Sequence, residues 1–393
     1  MPERFAARNA AQETGTLAFR FIHTSDWQIG KPFRNFEERV AGRLEGARLA
    51  VVDRIARLAH EHHARHVMVA GDIYDAQSVP LKTLMQPVHR MEQARDLTWW
   101  LIPGNHDPAR AKGVWERLRA EGVPENIRIL DTPDMVEMEP GVFLLPAPLT
   151  ARSLSGDPTA WMDAAATPAG TLRIGLAHGS IKGFGSAQES SVSIVPDRAA
   201  KARLDYLALG DWHGSAKINA RTWYSGTPEP DRFPDNAPGS VLAVTLDAGG
   251  AAPMVQALAS NAFVWAKREF EIRGAGDLVG VGRELSALSE DSGNLVLRLR
   301  FVGGVRLGEI ADVERWCSDF EARVQYLEAD TSGLLPCADD DDLDLFSVSE
   351  ELGDAARFLG NLAGENSDDR QPAAAAALVR LAVLTRRETA GGA

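Results

Sequence analysis

Cysteine is almost absent: Cys317 and Cys337 are the only two in 393 residues, and no Cys-x-x-Cys pair occurs. That excludes a zinc–thiolate cluster or a disulfide framework as the basis of the fold. No apolar run approaches the roughly 18 residues that suggest a membrane span. The first residues contain no compact apolar signal core, so a cytoplasmic location is expected. A glycine-rich loop ending in Gly-Lys-Ser/Thr is also missing, which argues against a P-loop ATPase. Positive charge is in deficit, with a net charge of −13, and a broadly basic protein that coats DNA is excluded. The deficit is local, however. Residues 339–369 hold 11 Asp/Glu and one Lys/Arg, a contribution of −10, which leaves −3 for the rest. A nearly balanced body beside an acidic appendage does not exclude contact with DNA.

What is present suffices for a large core and two or three domains, since 45% of residues are hydrophobic. Short apolar runs predict strands at 19–23, 67–70, 97–102, 142–146, 172–177, 205–209, 221–224 and 240–246. Helical spacing covers 37–58, 81–94 and 114–121. This is an α/β pattern, compatible with two packed sheets flanked by helices. A composition change near Gly249–Pro253 marks a boundary. Beyond it, strands at 263–272 and 295–302 and helices at 277–288 and 310–326 predict a smaller α+β unit that could cap the first. The expected division is a flexible leader at 1–16, a first domain at 17–253, a capping domain at 254–337, and an acidic linker with a helical tail at 338–393. The run Asp339–Asp344 lacks the ligand spacing of a calcium loop and reads as linker. In the tail, Leu352, Ala356 and Leu359 form one stripe, and Leu378, Leu381 and Leu384 another. Either completes the protein's own core or binds a partner.

Five polar clusters interrupt or end the apolar runs: Ser25-Asp26-Trp27-Gln28, Gly71-Asp72-Ile73-Tyr74-Asp75, Gly104-Asn105-His106-Asp107, Ala177-His178-Gly179 and Gly210-Asp211-Trp212-His213. Strand followed directly by glycine and carboxylate suggests the carboxyl edge of a sheet, where ligand-binding side chains collect. Together the clusters supply carboxylate, amide and imidazole donors sufficient for two hard or borderline cations. Such a pair, about 3.5–4 Å apart, is suited to phosphodiester hydrolysis and needs a bridging carboxylate with distinct terminal ligands.

Other residues invite two readings. Arg34, Arg39, Arg43 and Arg48 could touch a phosphate backbone or form a solvated helix face. Trp27, Trp212, Trp223 and Tyr224 could stack on bases or pack the loops. His60, His62, His63 and His66 sit around a helix end, where solvation or an electrostatic role is expected rather than metal binding. Lys31, Arg34 and Lys182 follow the polar clusters and are candidate phosphate contacts. Serines are present, but the clusters fit metal chemistry better than a Ser-His-Asp triad.

The ordered series Asp26-x-Gln28, Gly71-Asp72-x-x-Asp75, Gly104-Asn105-His106-Asp107, His178 and Gly210-Asp211-x-His213 resembles the calcineurin-like metallophosphoesterase superfamily. The stretches His23-Thr24-Ser25-Asp26-Trp27 and Tyr224-Ser225-Gly226-Thr227-Pro228-Glu229-Pro230 narrow the resemblance towards SbcD-like DNA repair nucleases. It covers roughly residues 19–247 and is weaker beyond. It implies the two-sheet metallophosphoesterase sandwich, with a smaller cap and a helical C-terminal tail. It places Asp26, Gln28, Asp72 and His213 around one metal and Asp72, Asn105, His178 and Asp211 around a second. It implies that His106 sits at the phosphate with Asp107 orienting its ring, and that His23 and Asp75 support the ligands. The family pattern has histidine at positions 28 and 211. Gln28 is a weaker neutral donor, and Asp211 shifts its side towards manganese or magnesium, with iron(II) also possible. The implied activity is manganese-dependent DNA hydrolysis, as an exonuclease that can also act as an endonuclease, by a homodimer with an SMC-like ABC ATPase partner. A small-substrate phosphodiesterase and a catalytically weak scaffold are the alternatives.

Overall fold

Neighbouring residues of the first strand enter different cores. Phe21 joins one apolar cluster and Ile22 another, as do Met68 and Val67, and Trp100 and Trp99. Successive strand side chains leave opposite faces, so a sheet covered on both sides needs unbroken apolar runs. Val67–Ala70 and Trp99–Ile102 are such runs.

The computed structural model describes residues 18–185, 192–233, 236–247, 250–337 and 349–364, with 370, 373–374, 376–378, 380–381 and 385 beyond them. The expected leader at 1–16 and most of the acidic linker, 338–348, lie outside the described residues. The chain divides into two compact units. The first holds two six-stranded sheets. In one, β1 (Phe19–Thr24), β2 (His66–Val69), β3 (Thr98–Leu101) and β4 (Ile127–Ile129) run parallel. Antiparallel β13 (Ser240–Leu246) and β14 (Met254–Ala259) complete its other edge. In the second sheet, β6 (Val142–Ala147), β7 (Leu172–His178), β10 (Tyr206–Gly210) and β12 (Thr222–Tyr224) are parallel. Its antiparallel edges are β5 (Val136–Glu139) and β11 (Ala216–Lys217). Two short strands, β8 (Ser180–Ile181) and β9 (Ser193–Ile194), pair separately.

Phe21, Met68, Leu144, Leu176 and Ala208 share the core between the sheets. The opposite face of the first sheet packs on α1 (Glu38–Glu61), α2 (Leu81–Gln93) and α3 (Val114–Glu121), through Val51, Ile55, Leu84, Val88 and Trp115. Leu145, Ala177, Leu207 and Leu209 line the outer face of the second sheet, beside the short helix α4 (Arg198–Lys201). This is the expected two-sheet α/β sandwich flanked by helices. No described helix is long and apolar enough to cross a membrane.

The boundary near residue 253 is corrected. β14 pairs with β13 over six residues and belongs to the first unit, which ends at Asn261. The composition change near residue 253 falls between two paired strands of the first unit. From Ala262 onward, β15 (Val264–Glu271), α5 (Asp277–Ser286), β16 (Leu295–Arg306), α6 (Leu307–Glu321) and β17 (Tyr326–Cys337) build a parallel three-stranded sheet with two helices. Leu278, Val281, Leu297, Leu299 and Val313 form its core. Helix α7 (Glu350–Gly364) brings Ala356 and Leu359 against Leu378 and Leu381. These members of the two tail stripes therefore cover one another; Leu384 lies outside the described residues.

Candidate metal centre

All five polar clusters follow the carboxyl ends of parallel strands: β1, β2 and β3 in one sheet, β7 and β10 in the other. Stacking the sheets brings the loops to one edge of the sandwich, where ligands of open α/β sheets bind. The turns are sharp. Asp26, Gln28, Asp72 and Asp211 adopt φ of 55, 44, 55 and 100°, a left-handed region that side chains other than glycine rarely occupy and that tends to cluster at functional sites. Asp26 N–H donates to Gly71 O and Gln28 N–H to Asp72 O, so the first two loops are stitched together through their backbones. Gly104 has no room for a side chain, since a Cβ there would fall 2.2 Å from Asp72 Oδ1 and 2.4 Å from its amide nitrogen.

Asp26, Asp72 and His178 offer donor atoms within 4.8 Å of one another, the one such group found among the described residues. Asp26 and His178 are wholly buried and Asp72 is 2% exposed. His178 Nε2 stands 3.5 Å from Asp72 Oδ1 and 3.8 Å from Asp211 Oδ1. His213 Nε2 is 3.9 Å from Asp26 Oδ1. Such separations are at or beyond the hydrogen-bond limit. They suit donors each about 2.0–2.2 Å from a shared cation, which stand about 3–4 Å apart.

The unsatisfied atoms point the same way. His178 Nδ1–H donates to Ala70 O at 2.8 Å, which fixes the ring and turns Nε2 inward, where it is buried without a hydrogen-bond partner. Asn105 Nδ2 donates to Asp211 Oδ1 at 3.0 Å, leaving its buried Oδ1 without a partner as well. Leaving buried polar atoms unpaired is costly, and both are ligand atoms for hard or borderline cations. Burial disfavours the charged form of His178, yet Asp72, Asp26 and Asp211 override it and hold the ring up at about 9. The pocket is built for positive charge. A divalent cation held there supplies Lewis acidity towards a phosphoryl oxygen and acidifies water.

Supporting contacts depart from the expected roles. Asp107 does not orient the His106 ring. Its carboxylate accepts from the amides of Ile73, Tyr74 and Gly104 at 2.7–3.0 Å, locking the Asp72 loop to the Asn105 loop. Burial and the nearby Asp72 charge push its carboxyl up, against those amides. The His106 ring is held instead by Asp75, whose backbone oxygen accepts from Nδ1 at 2.9 Å. That leaves Nε2 4.0 Å from Asp72 Oδ2, on a side chain that is 31% exposed. Asp75 thus acts on His106 through its carbonyl, not only on the Asp72 loop.

His23 both packs and supports. An O–H from Tyr206 reaches its Nδ1 at 3.0 Å, and its Nε2–H donates to Leu209 O at 3.2 Å, tying the Asp26 strand to the Asp211 strand. Burial pushes this imidazole down to about 3, against the Leu209 hydrogen bond. The folded chain therefore refuses a proton that the unfolded chain accepts below about 6.5, and stability falls as pH drops from there towards 3. Urea titrations at pH 7 and pH 4.5 should show the loss, and His23→Gln should reduce its pH dependence.

Gln28 Oε1 accepts from Lys31 Nζ at 3.1 Å, so Lys31 reaches back to the site. Arg34 and Lys182 are exposed. Arg48 is no candidate for DNA contact, being 2% exposed and donating to Trp27 O at 2.7 Å and Glu229 O at 3.0 Å. Successive turns of α1 carry Leu44, Arg48, Val52 and Ile55 into the core, so the i, i+4 spacing from Leu44 was the signal for its burial. Ser25, Ser180 and Thr227 were overlooked as supports. Ser25 Oγ donates to Asp26 Oδ2 at 2.6 Å and meets Ser225 Oγ at 2.8 Å; Ser180 Oγ donates to Asp211 Oδ2 at 2.5 Å; Thr227 Oγ1 donates to Asp26 O at 2.8 Å. Trp27 and Tyr224 are buried and pack the loops, Trp212 lies edge-on to Phe184, and Lys217 covers Trp223. His60 pairs with Asp96 and His66 with Glu139, away from the cluster.

Comparison with known proteins matches the family model described as calcineurin-like phosphoesterase over residues 19–233. A protein of Bacillus subtilis (strain 168) described as the uncharacterized metallophosphoesterase YhaO is 25% identical over 214 residues, covering 51% of this chain and 50% of that protein. The chain thus spans about half the length of the curated relative it matches. Among solved structures, TT1561 of Thermus thermophilus is similar with a TM-score of 0.37 and 13% identity, over 61% of this chain and 99% of that one. The family binds divalent metals and hydrolyses phosphoesters with them. With every one of the five donor loops inside the matched region, the chain belongs to the calcineurin-like phosphoesterase family.

Proposed function

We propose that this chain is a manganese-dependent DNA nuclease of the SbcD-like kind, an exonuclease with accompanying endonuclease activity. The observation that carries the reading is the seating of the Ser225–Pro230 stretch. Ser225 and Thr227, in the stretch that resembles DNA repair nucleases, hydrogen-bond directly to the Asp26 loop. Arg48 ties Glu229 of the same stretch to Trp27. The motif therefore buttresses the Asp26 loop of the metal centre.

In this mechanism Asp26, Gln28 and His213 would hold one cation and Asn105, His178 and Asp211 a second, with Asp72 serving both, and the ions would supply Lewis acidity towards the phosphate. His106, its Nδ1–H bound to the Asp75 carbonyl, holds a proton on Nε2 for the leaving oxygen or for charge developing on the phosphate. Arg34 and Lys182 contact the backbone of the bound strand. The working form is a homodimer with an SMC-like ABC ATPase. The engagement of Gln28 by Lys31 favours, as a second reading, a catalytically weak scaffold of the same complex.

The test is cleavage of linear and circular DNA, alongside a model phosphodiester, in manganese. Loss of linear DNA from its ends is expected. Efficient turnover of the model substrate with intact DNA would indicate a small-substrate phosphodiesterase, and stable DNA or partner binding with no turnover at all would indicate the scaffold.

A further inference from the structure

The two sides of the centre are unequally prepared for a cation. On the His178 side, His178 Nε2 and Asn105 Oδ1 are buried with no hydrogen-bond partner. On the other side the comparable atoms are engaged. Lys31 Nζ stands 3.1 Å from the Gln28 side chain. An ammonium can only donate, so the amide atom facing it is oxygen. The amide nitrogen then faces His213 Nε2 at 3.2 Å. That nitrogen also only donates, so His213 Nε2 must present its lone pair to it. Gln28 Oε1 and His213 Nε2, two of the donors this side has for a metal, are both committed to a Lys31–Gln28–His213 chain.

The chain is anchored where it matters. Gln28 N–H donates to Asp72 O at 2.9 Å, and Lys31 N–H closes a turn on Gln28 O at 3.1 Å. The ammonium is thereby held on Gln28, on the side of the centre that a second cation would occupy. A cation entering this side must take Gln28 Oε1 from Lys31 and the lone pair of His213 from Gln28. It must also displace a like charge a few ångströms away, which costs energy in partly buried surroundings.

We propose that Lys31 is a latch on the second metal position. One ion loads first on the side of Asp72, Asn105 and His178, where two buried donor atoms lack partners, and the second loads only at higher metal concentration, when the Lys31–Gln28–His213 chain opens. Anionic substrate, by drawing the ammonium onto phosphate, would open it. This rests on the metallophosphoesterase reading of the site and concerns how that site is regulated.

The test is equilibrium dialysis of the full chain against manganese, with bound metal counted by mass spectrometry and spin-coupled pairs detected by electron paramagnetic resonance. Wild type is expected to take one ion, and a second only at about tenfold or higher free manganese, where the coupled signal appears. Lys31→Met should move the second step at least about tenfold lower and leave the first in place, while Lys31→Arg keeps the gap. Melting curves with one ion bound establish that the variants are folded. Wild type loading both ions in one step, or a second step unmoved in Lys31→Met, overturns the latch while leaving the metal centre intact. No bound manganese at any concentration overturns the latch and the centre together.

Discussion

Asp72→Asn is expected to lower turnover of a model phosphodiester at least about a thousandfold, a loss of roughly 4 kcal/mol in transition-state stabilisation, and to abolish metal binding. Asp72 sits between the two halves of the donor set, 3.5 Å from His178 Nε2 and linked by its Oδ1 to the His106 amide. Asparagine preserves the shape and that hydrogen bond but removes the charge. The same substitution removes the leading cause that raises His178, whose ring should titrate well below about 9 in the variant. The sign for wild type follows from linkage. In the metal-free chain His178 is raised above its ordinary 6.5, so the stability it contributes is full below that value and is lost as pH rises through about 9. Metal binding runs the opposite way. The ion must displace the Nε2 proton, so manganese affinity should weaken by up to about tenfold for each pH unit below 9. Calorimetric titrations at pH 7, 8 and 9, with imidazole proton signals followed by NMR, check both signs. Unchanged metal content in Asp72→Asn would remove this residue from the centre.

His106→Ala is expected to act differently: metal content stays at the wild-type level while turnover falls about 10²–10³-fold, the range of a lost general acid. The separation arises from the contacts already described. The His106 ring is bonded to the Asp75 carbonyl and is partly exposed, whereas His178 is buried with its Nε2 turned among carboxylates. One imidazole is placed to hold a proton at the rim, the other to meet a cation inside. Metal counting and steady-state kinetics on the same preparation separate the roles. Parallel loss of metal and activity would make His106 a ligand.

Much of this arrangement was legible in the sequence because it depends on short-range chemistry. Burial on both faces of β1 and β2 leaves apolar runs ending near Asp26 and Asp72, and a carboxylate just after a buried strand marks a sheet's edge. Short or half-exposed strands were not legible. β5 reads Val-Glu-Met-Glu with only part of one face covered, and β14 has one buried residue in six; both are edge strands defined by their partners. The hydrogen-bonding roles were hidden for a different reason. Nothing local tells that Asp107 will spend its oxygens on three backbone amides of two loops, or that Asp75 will use its carbonyl on His106. Both follow from the approach of loops about thirty residues apart. Gln28 illustrates the same limit. Its weakness as a donor is evident from residue type, but the ammonium on its oxygen and the imidazole at its nitrogen are products of the fold.

The most direct test of the central claim, that Asp26, Asp72 and His178 enclose a divalent cation, is anomalous diffraction from crystals grown in manganese. The expected map has a peak within about 2.0–2.3 Å of Asp72 and of His178 Nε2. Well-ordered manganese elsewhere in the crystal, with His178 Nε2 facing a carboxylate or a water and no peak between these three residues, would contradict it.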